Sequence, residues 1–104
     1  MITRVWRGWA SSTADADRYQ RHYRDDVLPE LSAIPGFRGA RLLRHTGADG
    51  LTEFVSLTNF DDMDAIRAFA GADPDVAVVA EEARAALLRY DDHVTHYETA
   101  ATTG

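Results

Sequence analysis

The sequence predicts an α+β fold: a four-stranded antiparallel sheet with helices over one face, in the chain order strand, helix, strand, strand, helix, strand. Three observations carry this reading. Glu53-Phe54-Val55-Ser56-Leu57-Thr58 suits a pleated, half-buried surface and passes within a few residues into a capped helix. Ala16, Tyr19, Gln20, Tyr23, Val27, Leu31 and Ile34 recur at three- and four-residue steps and make one long helix face. Pro35-Gly36 and the polar, glycine-containing stretch Thr46-Gly47-Ala48-Asp49-Gly50 supply the turns on either side of a middle strand.

In order along the chain, Ile2 to Ala10 reads as the first strand, with Trp6 and Trp9 on opposite faces because they lie three positions apart. Ser11-Ser12-Thr13 caps a helix that starts near Ala14, and Pro29 predicts a kink or restart because it lacks an amide donor and disfavours helical geometry at Leu28. Phe37 to His45 is the second strand, and its turn into the third predicts a hairpin. Asp61 is the expected N-cap of the next helix, whose stripe Met63, Ile66, Phe69 and Ala70 ends at Gly71. Asp73-Pro74 breaks the chain, Glu81 to Leu88 returns to helix, and Tyr90 to Thr99 is the last strand. Residues 1–99 are expected to form one domain and 100–104 a frayed, disordered tail. This order is the split β-α-β arrangement called ferredoxin-like, with one added short helix. One face of its sheet lies open, and a second copy of the chain is its expected cover.

Composition excludes several kinds of chemistry. The 104 residues contain no cysteine, hence no disulfide, no thiolate nucleophile and none of the usual iron–sulfur ligands. All eleven basic residues are arginine, so no lysine is present to form a Schiff base or to hold the phosphates of a Walker-type loop. A net charge of -6 argues against nucleic acid as a partner. No apolar run approaches the roughly 20 residues that span a bilayer, and the start Met1-Ile2-Thr3-Arg4-Val5-Trp6 reads as strand rather than as a leader, so a cytoplasmic protein without membrane contact is expected. His93 and His96 carry a spacing that chelates metal on a helix. On a strand it sends the two rings to opposite faces, so no metal centre is expected there.

The residues Trp6-Arg7-Gly8, Ala16-Asp17-Arg18-Tyr19, Ile34-Pro35-Gly36-Phe37-Arg38-Gly39-Ala40, Glu53-Phe54-Val55-Ser56-Leu57 and Asp64-Ala65-Ile66-Arg67-Ala68-Phe69-Ala70-Gly71 resemble the antibiotic biosynthesis monooxygenase family. The resemblance runs from about Ile2 to Glu98. It implies a dimeric α+β barrel, in which two ferredoxin-like sheets pair, and oxygenation of aromatic polyketides without metal, flavin or haem. A haem-degrading branch of the family uses an asparagine on the first strand, a tryptophan on the helix after the third strand and a histidine beyond it. Here the first strand has no asparagine, the helix position is Phe69, and 71–82 contains no histidine, so the haem chemistry is not expected.

Candidate roles follow for particular residues. His96, flanked by Val94 and Tyr97, is read as the general base, with His22 as the second choice. The alternatives are a hydrogen-bonded structural histidine for His96 and a solvated one for His22. His96 is preferred because a strand holds a base more rigidly than the flank of a kinked helix. Asn59 is read as a donor to a developing peroxide or as a turn cap. Trp6, Tyr23 and Phe69 are the expected walls of an aromatic pocket, and Arg4, Arg41 and Arg44 are expected at the surface. The function implied is a cofactor-independent monooxygenase of a small phenolic substrate. The alternatives are a dimeric, non-catalytic small-molecule binder or accessory protein, and a cyclase or isomerase using the same pocket.

Overall fold

The computed structural model describes residues 1–104. Its strands are β1 (Ile2–Ala10), β2 (Phe37–Thr46), β3 (Thr52–Phe60), β4 (Arg89–Tyr90) and β5 (Thr95–Glu98). The helices are α1 (Thr13–His22), α2 (Leu28–Ser32), α3 (Met63–Ala70) and α4 (Glu81–Ala86), with a π-helical turn at Tyr23–Val27 between α1 and α2. All strands pair antiparallel in the order β2-β3-β1, and both β4 and β5 pair with the far edge of β1. The expected single last strand is therefore two short pieces. Asp91 to Val94 loop out between them, and the β5 register sets Arg4 opposite His96.

Alternation decides the layers. Along β3, Thr52, Phe54, Ser56, Thr58 and Phe60 are buried under the helices while the residues between them are half-buried on the other face. Along β1, Arg4, Gly8 and Ala10 are buried on the helix side. The core falls into two clusters. Tyr19, Tyr23 and Phe54 pack with Ala83, Ala86 and Leu87 at one end, and Leu31, Phe60, Ala65 and Ile66 pack together at the other. Complete burial of Phe54 and of Phe60 contributes about 1.5–3 kcal/mol for each side chain. Gly8 is required by close approach, since a Cβ there would lie 2.9 Å from both Leu87 and Trp6. Gly36 adopts φ +88° and faces Ala65, whose Cβ would be 2.8 Å away from an added one.

Three local expectations are corrected, and a fourth is met. The N-cap of α3 is Asp62, which accepts from the Ala65 amide at 2.9 Å, while the neighbouring Asp61 makes a two-pronged pair with Arg38 at 2.6 and 2.9 Å. The restart expected at Pro29 is present: a π turn ends at Val27 and α2 begins at Leu28, which leaves the proline in the first turn of α2, where a missing amide costs little. Helix α4 stops at Ala86, with Leu87 already extended, rather than at Leu88. Gln20, expected on the apolar face of α1, is exposed and accepts from Arg44 at 2.7 Å.

The open face of the sheet presents Val5 and Trp9 of β1 with Val55 and Leu57 of β3, all half-buried, beside the exposed Leu43 of β2 and Tyr97 of β5. No helix is long and apolar enough to cross a membrane.

Candidate active site

Between the helix layer and the sheet lies a cavity of about 90 Å³, several times the room one water needs. Its floor is the inward face of two neighbouring strands, Arg4 and Trp6 from β1 and Ser56 and Thr58 from β3. Its helical wall is Tyr19, His22, Tyr23, Val27 and Leu31, with Phe69 from α3 at one end. The segment that joins α3 to α4 closes it with Val78, Val79 and Ala80. Trp6 is fixed by donating from its indole nitrogen to the Asp91 carbonyl at 2.8 Å, with the Tyr19 and Tyr90 rings 6.1 and 6.3 Å away.

Two polar atoms on this cavity are buried without a hydrogen-bond partner: His22 Nε2 and the Tyr23 hydroxyl oxygen. Such atoms are rare and costly in a folded protein, so their place on a cavity wall marks a position for a ligand or for ordered water. Burial raises the Tyr23 phenol above its ordinary range; the Ser56 and Thr58 hydroxyls lie near enough to oppose part of that shift, but neither meets hydrogen-bond geometry with the phenol oxygen. Tyr19 is raised further, by burial first and by Tyr23 second. Both phenols therefore stay protonated at neutral pH, and Tyr23 is an uncharged donor on a residue of the cavity wall. The other nitrogen of His22, Nδ1, lies 2.8 Å from Asp26 Oδ2 and 3.3 Å from Glu82 Oε2.

The structure brings together His22, Trp6, Tyr23 and Phe69 and leaves Asn59 and His96 outside the cavity. The expectation of a solvated His22 is corrected. Helix α4 packs beside α1, and its Ala83 and Ala86 widen the buried face of α1 by one position, so His22 is only 8% exposed. Asn59 sits on the open face of β3 and accepts from the Thr3 hydroxyl at 2.6 Å. His93 is exposed and forms an isolated bridge with Val76.

His96 does face the helix layer, but its ring is already engaged. Nε2 lies 3.1 Å from an Arg4 guanidinium nitrogen and Nδ1 lies 3.2 Å from Asp75 Oδ1. A guanidinium only donates, so Nε2 must offer its lone pair to Arg4 and the ring proton sits on Nδ1 towards Asp75. That leaves His96 no free base. Arg4 is the second corrected expectation in the site. It is buried rather than superficial, and it also donates to the Pro74 and Val76 carbonyls, the latter at 2.9 Å.

Three features of this site escape a reading of the sequence: the inward hydroxyls Ser56 and Thr58, the buried Arg4, and the Asp26–His22–Glu82 group. Polar residues in register with Phe54 and Phe60 on the inward row of β3 were the available signal for the first. The four-residue spacing of His22 and Asp26 was the signal for part of the last. Glu82 comes from a distant helix and left none.

Comparison with known proteins follows the same lines. The model of the antibiotic biosynthesis monooxygenase family matches residues 12–86. Among solved structures, the fold is shared with a mutant of MhuD carrying two manganese protoporphyrin IX molecules per active site, with a TM-score of 0.67, 14% identity, and 100% of this chain and 99% of that one covered. It is shared as well with the monooxygenase from the gene ActVA-Orf6 of Streptomyces coelicolor in complex with nanaomycin D, with a TM-score of 0.52, 23% identity, and 70% and 62% covered. Rv0793 from Mycobacterium tuberculosis gives a TM-score of 0.57 at 18% identity over the whole of both chains. No sequence among curated proteins matches the chain.

The His96 contacts carry a pH dependence. Burial lowers its basicity below the ordinary imidazole value of 6.5, the Arg4 charge adds to this, and Asp75 opposes it. The unfolded chain therefore takes up the proton first. Stability is full above the unfolded value and is lost as pH falls through the folded one. Melting temperature should accordingly decline from about pH 7 to about pH 5, and His96→Gln should flatten that decline. Parallel slopes in the two proteins would show that His96 is not its source.

Proposed function

The chain belongs to the antibiotic biosynthesis monooxygenase family, and from that premise we propose that it is a cofactor-independent monooxygenase that oxidises a small phenolic or polyketide-type aromatic compound. The observation that carries the reading is the pair of unpartnered atoms, His22 Nε2 and the Tyr23 hydroxyl, in a cavity walled by Trp6, Tyr19 and Phe69. A planar phenol bearing a neighbouring oxygen satisfies both atoms at once, with its hydroxyl donating to His22 and its second oxygen accepting from Tyr23. The aromatic walls hold the ring and exclude water.

The reaction balances without any further reagent. His22 Nε2 takes the phenolic proton. The electron-rich anion passes an electron to dioxygen, and recombination forms a carbon–oxygen bond at a ring carbon that bore hydrogen. Loss of water from the resulting peroxide leaves a carbonyl there, so one oxygen atom ends on the substrate and the other in water. Tyr23 is placed to donate to the substrate oxygen whose charge grows as the anion forms. In this reading His22 takes the role that the sequence assigns first to His96, because it lines the cavity and its Nε2 has no partner.

The active form we propose is a homodimer joined through the open sheet face. Val5, Trp9, Leu43, Val55, Leu57 and Tyr97 lie together there, and no element of the chain covers them. Light scattering after size exclusion should give twice the chain mass at micromolar protein, and a monomer would refute the pairing.

Oxygen uptake with hydroxynaphthoquinone or naphthol substrates tests the chemistry. His22→Gln should slow turnover by about a hundredfold while the fold is kept. Tyr23→Phe should weaken catalysis yet hold or raise the melting temperature, since it deletes an unpaired buried hydroxyl. Full activity in His22→Gln would dismiss the assigned base. Product formation without oxygen uptake would indicate an isomerase, and binding without turnover a carrier.

A further inference from the structure

His22 spans the cavity wall. It lines the cavity and its Nε2 is buried and unpartnered, whereas its Nδ1 meets two carboxylates that stand in solvent, Asp26 at 2.8 Å and Glu82 at 3.3 Å, with side chains 56% and 68% exposed. The two acids come from different elements. Asp26 lies one turn beyond His22, in the π turn, and Glu82 comes from the first turn of α4, the helix that follows the segment closing the cavity. The other group set against the ring is the protonated phenol Tyr19, its centroid 6.3 Å away, while Tyr23, Arg4 and Glu30 share the cavity lining.

We propose that Asp26 and Glu82 are positioning residues for His22: together they hold its ring proton on Nδ1, turn its Nε2 lone pair to the cavity, and pass the proton it collects from a buried substrate to solvent. A carboxylate at Nδ1 accepts from that nitrogen, so the neutral ring carries its hydrogen outward and its base inward. When Nε2 takes a proton from substrate, the imidazolium is left with one N–H on the substrate anion and the other on Asp26. The Nδ1 proton leaves to the carboxylate and then to water; when the hydrogen left on Nε2 passes to the departing peroxide oxygen, the carboxylate returns a proton from water to Nδ1, and the ring ends as it began, neutral with its hydrogen on Nδ1. No charge has to cross the apolar wall, because the imidazole is the crossing. Glu82 adds a link to the cavity's cover: displacement of the segment before α4 would take the second carboxylate with it.

This rests on the reading of His22 as the base, and the experiment separates the two. Imidazole ¹⁵N spectra of the free protein, assigned with His22→Gln, should show neutral His22 with hydrogen on Nδ1. Asp26→Asn/Glu82→Gln should shift it towards the Nε2–H form. Under the same conditions the double variant should lose about tenfold or more in kcat with naphthol substrates, with KM nearly unchanged and a melting temperature close to the parent. Formate added in excess should restore part of the double variant's rate, as a small carboxylate that replaces the missing one. If His22→Gln is inactive while the double variant keeps the parent's tautomer and kcat, the assignment of the acids fails and the base stands. A double variant that loses stability but not kcat would make the acids merely structural. Zinc or manganese binding at one ion per chain, abolished in the double variant, would make the trio a metal centre and overturn the proposal.

Discussion

One buried guanidinium organises the candidate site. Arg4 occupies a position on β1 where alternation demands an inward side chain, and an arginine in that place must find acceptors or unfold the region around it. It finds them in the Pro74 and Val76 carbonyls and in His96 Nε2. Those bonds draw the segment between α3 and α4 down over the sheet, where the Ala77 and Val94 amides extend the attachment through the Asp92 and Asp75 carbonyls. The cover of the cavity follows, since Val78, Val79 and Ala80 come next along the chain. So does the position of α4, which brings Ala83 against α1 and Glu82 to His22.

That dependence explains why the framework was legible in the sequence and the site only in part. The alternation of β3, the Ser12 cap, the stripe of α3 and the hairpin at 46–50 are local patterns, and each fixes a face or a boundary through residues a few positions apart. Trp6, Tyr23 and Phe69 could be placed because aromatic residues on such faces point into the space between helices and sheet. His96 was the attractive base because strand geometry is rigid. The same geometry sets it opposite Arg4, and a pairing across 92 positions of chain leaves no trace in spacing. His22 looked solvated because its own helix puts it beside the apolar stripe. A helix 60 residues away in sequence, at Glu82, buries it.

The chemistry that emerges is one of asymmetry across a single ring. On one side of His22 lie aromatic walls, protonated phenols and the two inward hydroxyls of β3, a setting that favours neutral groups and strengthens any hydrogen bond made there. On the other side stand solvated carboxylates. A substrate that must lose a proton before it meets dioxygen is served by such a boundary, because the proton departs while the electron-rich ring stays dry. Tyr19, raised by burial, keeps that side free of negative charge at neutral pH.

If a ligand completes the site, His22 Nε2 and the Tyr23 hydroxyl are the two atoms it must pair. A crystal structure of the protein with a hydroxynaphthoquinone, a flat ring bearing neighbouring oxygens, tests this most directly. The ring should lie between Trp6 and Phe69, with one oxygen within about 3 Å of His22 Nε2 and another at the same distance from the Tyr23 hydroxyl. A ligand bound elsewhere, or in the cavity with both atoms still unpaired, would contradict this pairing.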